Sequence, residues 1–134
     1  MRRLFPGMGY TKEERDMNVR RAGHLAGLLE KHGVFVIASF VSPYASARDF
    51  ARAQCRRFAE VYVAAPLAVC EGRDVKGLYA QARRGEIRGL TGVDDPYEPP
   101  LKADLVIDTS RLSADDSFRR LMDYVNENFN AKTP

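Results

Sequence analysis

The run "GRDVKGLYAQARRGEIRGLTG" sets five cations, Arg73, Lys76, Arg83, Arg84 and Arg88, among repeated glycines. Ammonium and guanidinium groups on a glycine-punctuated segment suit closure over phosphates with exclusion of water. The same charges also suit a solvated amphipathic helix, because charge runs are often only solvated. A second basic stretch with glycines opens the chain, "MRRLFPGMGYTK". A phosphate loop of the Walker type needs glycines spaced so that several backbone N–H groups converge on one phosphate, followed by Lys and a hydroxyl residue at a helix start. Here Gly7 and Gly9 stand too close together, Tyr10 occupies a place that wants a small residue, and Lys12 follows Thr11 instead of preceding a hydroxyl. No other segment of the 134 residues passes the test. His24 and His32 read as helix residues, the second near a C-terminus where positive charge is favoured. Cys55 and Cys70 lack metal-like spacing and form no disulfide framework, so both are expected to be buried or inert.

Elements must hold these groups. Thr11 followed three residues later by Glu14 is a capping-box pattern, and Ala22, Leu25, Ala26 and Leu29 form an apolar stripe behind it, which predicts a helix from about Lys12 to His32. Gly33 supplies the stop. "VFVIASF" (34–40), "EVYVAAP" (60–66) and "ADLVIDT" (103–109) are short apolar runs of the kind found in buried parallel strands. "SPYASARDFARAQCRRF" reads as a turn and a helix with Ser46 and Asp49 as cap signals, and a last helix begins near Ser113 with Phe118, Leu121, Met122 and Val125 facing inward. Strands alternating with helices predict an α/β fold with a parallel sheet covered on both faces. Ligands in such sheets bind beyond the carboxyl ends of the strands, which directs attention to "SPY", "PLAVCEGRDVKGLY" and "TSR". Residues 73–100 are expected to form a mobile, charged lid there.

With 134 residues and 45% hydrophobic content, one domain over 1–134 is expected. The net charge of +3 comes from 21 basic and 18 acidic residues, well interspersed, which mildly favours anionic partners such as nucleotides. Nucleic-acid binding would call for a basic helical face interleaved with aromatics, and none is found. The chain has no signal-like apolar stretch and no apolar run long enough to span a bilayer, so a cytoplasmic protein without membrane partners is expected.

"NVRRAGHLAGLLEKHGVFVIASFVSPY", "EVYVAAPLAVCEGRDVKGLYAQARRGEI" and "LTGVDDPYEPP" together closely resemble the adenylylsulfate kinases, P-loop enzymes of sulfate assimilation. The resemblance runs in order from Arg2 to about Ser110. It implies a P-loop-kinase sheet with flanking helices and a lid. The implied reaction moves the γ-phosphate of MgATP to the 3′-hydroxyl of adenosine 5′-phosphosulfate and gives 3′-phosphoadenylyl sulfate.

Matched residue by residue, the resemblance puts Arg2, Tyr10, Arg15, Asn18, Val41, Ser42, Lys76, Gly89 and Leu90 at the acceptor site. Arg2 and Arg15 suit tetrahedral anions because guanidinium offers paired donors. Tyr10 would stack on the acceptor adenine; an exposed turn aromatic is its plain alternative. Ser42 matches a position described in bacterial members as a phosphoserine, while direct in-line transfer is simpler and a turn cap before Pro43 is the plain reading. Ser42 and Lys76 are thus the catalytic candidates. Leu90 stands where the family has Phe, so an apolar cover replaces a stacked ring and weaker acceptor binding is expected. Arg73 and the Thr109-Ser110-Arg111 turn are placed beside the ATP adenine, with no metal ligand assigned. The first strand, Walker loop and first helix of the family find no match here, and Met1 falls where the family has a hydrophobic residue before Arg2. The chain is therefore expected to be an N-terminally truncated member, its frame starting upstream and a valine codon read as Met1. A short non-catalytic module that binds or senses the acceptor is the alternative. A homodimer and a functional link to sulfate adenylyltransferase are the further partners implied.

Overall fold

The computed structural model describes residue 7 and residues 9–129, and among them the elements run α1 (Lys12–Lys31), α2 (Ala45–Gln54), β1 (Val61–Ala64), α3 (Leu67–Arg73), α4 (Leu78–Arg83), β2 (Leu105–Asp108) and α5 (Ala114–Phe129). Two units share these elements. One holds residues 1–58 and 76–100, the other residues 59–75 and 101–134.

In the first unit, α1 begins as its sequence dictates. The Thr11 hydroxyl accepts the Glu14 N–H at 3.2 Å and the Glu14 carboxylate accepts the N–H groups of Thr11 and Gly9, at 2.9 and 2.8 Å. Two donors that a helix start leaves orphaned are thereby satisfied. At the other end Gly33 takes φ +74° and its N–H returns to the Glu30 carbonyl. The face of α1 that packs is not the expected stripe. Asn18, Val19, Gly23 and Gly27 are buried, whereas Leu25 is exposed and Ala22, Ala26 and Leu29 are half-buried. The reason is steric. A Cβ on Gly23 would lie 2.7 Å from the Ala51 Cα, and one on Gly27 would lie 2.3 Å from the Gln54 carbonyl oxygen. Only glycine lets α1 and α2 approach this closely, so the small-residue face wins over the larger apolar one. Around this seam His24 meets the Phe50 ring edge-on at 4.9 Å and the Arg20 guanidinium covers it at 4.8 Å. The Glu30 carboxylate accepts the N–H groups of Arg56 and Arg57, which holds its carboxyl below the usual range.

Two further expectations fail in this unit. Residues 34–40 form no strand; Phe35 and Ile37 are 55% and 85% exposed. A strand is defined by its ladder, and among the described residues none pairs with this run, so its β-branched composition cannot decide the outcome. Ser46 and Asp49 do not cap α2. Both lie within it and are exposed, and the free N–H of Ala45 is accepted at 2.6 Å by the distant Glu98 carboxylate.

The second unit carries the sheet. β1 and β2 pair in parallel, in the register Val61↔Leu105, Tyr62↔Val106, Val63↔Ile107 and Ala64↔Asp108. Glu60 and Asp104 lock the start, with the Asp104 N–H on the Glu60 carbonyl and the Glu60 N–H on the Asp104 carboxylate. Ile107 is buried at 3% exposure. Ser113 caps α5, its hydroxyl accepting the Asp116 N–H at 3.0 Å. α5 packs on β2. Leu121 and Val125 are half-buried as expected, but Phe118 and Met122, assigned to the same inner face, are exposed. Covering one short pair of strands needs a narrower stripe than a full sheet does. Cys55 and Cys70 are free thiols and half-buried.

Candidate functional site

Arg15 lies in the first turn of α1 and Asn18 three residues on, so both project from one side of the helix. The Arg15 guanidinium is held at two corners: Nη1 donates to the Thr91 hydroxyl at 2.8 Å and Nη2 lies 3.2 Å from the Asp95 carboxylate. Both ends of that ion pair are largely buried, at 15% and 13% exposure. Asp95 also accepts the Tyr44 hydroxyl, at 2.9 and 3.0 Å from its two oxygens. Burial raises the Tyr44 phenol pKa, and the bond to Asp95 raises it further, so the phenol stays a donor. The Lys12 ammonium stands 5.2 Å from the centre of the Tyr44 ring. Asp95 thus joins α1 to the residue that precedes α2.

The loop that delivers Asp95 is shaped by its neighbour. The Asp94 carboxylate accepts the N–H groups of Gly89 and Leu90, each at 2.6 Å, and these bonds hold its carboxyl below the usual range. Gly89 sits at φ +72°, where a side chain would be strained, and a Cβ there would come 3.8 Å from Arg15 Nη2. Gly89 is therefore placed against Arg15, with Leu90 half-buried beside it.

Two polar atoms in this cluster stay unsatisfied. Arg15 Nε and Asn18 Oδ1 are buried and lack a hydrogen-bond partner among the described residues. One is a donor and the other an acceptor. Leaving such groups unpaired costs about 1–3 kcal/mol each, which a ligand supplying the complementary groups would recover.

Ser42, at φ +44°, is the one non-glycine residue among those described whose φ falls in the left-handed range between about +20° and +160°. Such a conformation costs on the order of 1–3 kcal/mol and persists only where its surroundings dictate it. Its carbonyl accepts Arg48 Nη1 at 2.7 Å, and Arg48 Nη2 donates to the Glu98 carbonyl, also at 2.7 Å. Val41, next to it, is 67% exposed. Tyr10 is 72% exposed. Lys76 is exposed in the turn before α4 and makes no hydrogen bond or ion pair among the described residues. Arg2 lies outside the described residues.

The second unit gathers the other predicted group at the carboxyl ends of β1 and β2. Arg73 donates to the Thr109 hydroxyl at 3.1 Å and to the Thr109 carbonyl at 2.6 Å, and the Thr109 hydroxyl donates to the Ala64 carbonyl. Ser110 turns inward on Asp108, which accepts its N–H and its hydroxyl and is held low by them. Arg111 completes the turn, its Nε 3.3 Å from Asp108.

Sequence reasoning missed Tyr44, Arg48, Asp95 and Glu98. Tyr44 lies in "SPY", Arg48 in the helix that follows, and Asp95 and Glu98 in "LTGVDDPYEPP", but no local period reveals that an aspartate will pair with an arginine eighty residues earlier, 95 less 15. Among the described residues no three of His, Cys, Asp and Glu gather to hold a metal ion, and no helix is long and apolar enough to cross a membrane.

A parallel β1–β2 ladder flanked by helices, with polar clusters beyond strand ends and helix starts, defines an α/β protein of the P-loop-kinase fold. The sequence profile described as adenylylsulphate kinase matches residues 1–108, and the chain belongs to that family. It is 50% identical over 119 residues to an adenylyl-sulfate kinase of Gloeothece citriformis, covering 89% of this chain and 68% of that protein. The adenylyl-sulfate kinase of Halothermothrix orenii is 49% identical over 124 residues, covering 92% and 67%. Among solved structures, the Mycobacterium tuberculosis APS kinase CysC in complex with AMPPNP and APS superposes with a TM-score of 0.86 at 37% identity, over 93% of this chain and 75% of that one.

Proposed function

We propose that this chain binds adenosine 5′-phosphosulfate through its first unit and serves the phosphorylation of that acceptor at its 3′-hydroxyl by ATP. The observation that carries the reading is the orphaned pair, Arg15 Nε and Asn18 Oδ1, buried side by side on one turn of α1. Arg15 already shares its charge with Asp95, so it acts as an aimed donor more than as a bare cation. Asn18 needs a ligand donor, which a ribose hydroxyl or an adenine amino group provides. Tyr10 offers an exposed ring for the acceptor adenine, Leu90 an apolar cover, and Arg2 and Arg15 the grip on the phosphosulfate. Val41, Ser42 and Gly89 line the same site. Lys76, exposed and unengaged, is the cation suited to charge developing on the transferring phosphoryl group. Ser42 is the second catalytic candidate, as a phosphorylated residue or as a strand-end contact. The Arg73–Thr109–Ser110 turn is assigned to the ATP adenine.

ATP enters as its magnesium complex, a co-substrate, and no residue described here is assigned to hold the ion. A homodimer, and a working link to the sulfate adenylyltransferase that makes the acceptor, belong to the same reading, as does a cytoplasmic setting. A second reading is a non-catalytic module that binds the acceptor through the same first unit.

Calorimetric titration with adenosine 5′-phosphosulfate, beside a coupled ATP assay, tests both. Wild-type binding with N18A weakened tenfold or more, about 1.4 kcal/mol, is expected. No wild-type binding, or N18A binding as wild type does, would sink the acceptor site. Turnover selects the kinase; binding without turnover fits a truncated kinase and the module alike.

A further inference from the structure

Ser42 holds a conformation that a serine avoids, and Pro43 after it further disfavours helical backbone at that position. Something must impose it. The backbone before Ser42 supplies no such hold, since Val41 is exposed and residues 34–40 form no ladder, whereas Pro43 and Tyr44 after it are buried. The bonds that grip this turn come instead from Arg48 and Glu98. Arg48 is 9% exposed and spans two carbonyls, Ser42 and Glu98, with its two Nη groups. Glu98 answers with its own backbone and side chain: its N–H donates to the Pro43 carbonyl at 2.8 Å and its carboxylate accepts the Ala45 N–H at 2.6 Å. Residues 42, 43 and 45 are each bonded into one closed clamp. Arg suits this task, because its planar guanidinium presents two Nη donors at a fixed separation to the two carbonyls.

We propose that Arg48, with Glu98, is the positioning device for Ser42, holding its backbone in the left-handed region and joining it to the 91–98 loop that carries Asp95. Neither residue touches the acceptor; they act through Ser42. The inference deepens the acceptor-site reading above and rests on it for its functional consequence.

A double-mutant cycle tests it. R48M, S42G and S42G/R48M are titrated with adenosine 5′-phosphosulfate, and amide exchange is followed in each free protein. Glycine adopts positive φ without strain, so a clamp whose task is to hold that conformation matters less once S42G is present. R48M is expected to weaken acceptor binding at least tenfold alone and no more than threefold in the S42G background. In the free protein, R48M is expected to speed exchange of the Glu98 and Ala45 amides tenfold or more while α1 amides keep their rates, and R48K is not expected to restore them. An equal binding loss in both backgrounds, or unchanged Glu98 and Ala45 exchange, overturns the proposal. If the wild type fails to bind the acceptor, the functional reading falls, and the exchange rates with and without S42G still decide whether Arg48 holds the Ser42 turn.

Discussion

Adjacent aspartates in the 89–95 loop divide the labour. Asp95 pairs outward with Arg15 and Tyr44, and Asp94 turns back on the Gly89 and Leu90 N–H groups. Those N–H bonds favour the ionised carboxylate, so the folded pKa of Asp94 lies below its unfolded value, about 3.9. The sign follows: the contribution is fully present above the unfolded value and is lost as pH falls through the folded one. The Gly89 and Leu90 amide resonances are expected to titrate below the ordinary carboxylate range in an NMR pH series. A midpoint at or above that range would remove Asp94 from its place in the turn. At this scale Arg15 and Asn18 were legible through the family resemblance, and the helix expected over this stretch sets two residues three apart on one side. Asp95 was legible as part of a motif but not as a partner, since its pairing is made by folding and not by spacing.

The helix pair α1–α2 shows how close approach can outrank hydrophobic size. Gly23 and Gly27 bring backbone against Ala51 and Gln54, while of the expected stripe Leu25 is exposed and Leu29 only half-buried. Gly27→Ala gains up to about 1 kcal/mol of helix propensity. Its Cβ meets a backbone oxygen that cannot swing aside, so overpacking of about 1–3 kcal/mol prevails and a lower midpoint in thermal unfolding is expected. A midpoint equal to or above wild type would show that the helices separate freely. Helix existence and limits were readable here because Thr11, Glu14 and Gly33 act locally. The face was not, because it depends on which residues a second helix can tolerate. The run 34–40 teaches the same lesson for strands, whose composition shows an ability to pair while the ladder needs a partner.

Across the whole molecule apolar burial is sparse. Among the described residues the buried apolar side chains are Val19, Tyr44, Ala47 and Ala51 in the first unit and Ile107 in the second. Removing atoms from so small a core is costly relative to a total of about 5–15 kcal/mol. Ile107→Ala is expected to cost about 2–4 kcal/mol and to strip amide protection from 61–64 and 105–108, read by hydrogen exchange. Unchanged protection would mean that the ladder does not rest on Ile107. The α/β character and both strands of the ladder were legible in the sequence because "VYV" and "LVI" are compact β-branched runs. Of the boundaries between the two units, those at 75 and 100 fall at the ends of the Arg-, Gly- and Pro-rich segment 73–100, whereas the one at 58 falls in no linker-like stretch and had no sequence signal. A consequence reaches into synthesis. Arg15 bonds to a threonine 76 residues later, and Val61 pairs with a leucine 44 residues later, 105 less 61. As the chain leaves the ribosome, α1 and α2 can dock early, yet the cluster around Arg15 stays open until Asp95 has emerged, and β1 pairs later still, once β2 has followed. The apolar run at 34–40 is on view throughout that interval, when a nascent chain is most open to aggregation and to chaperone capture.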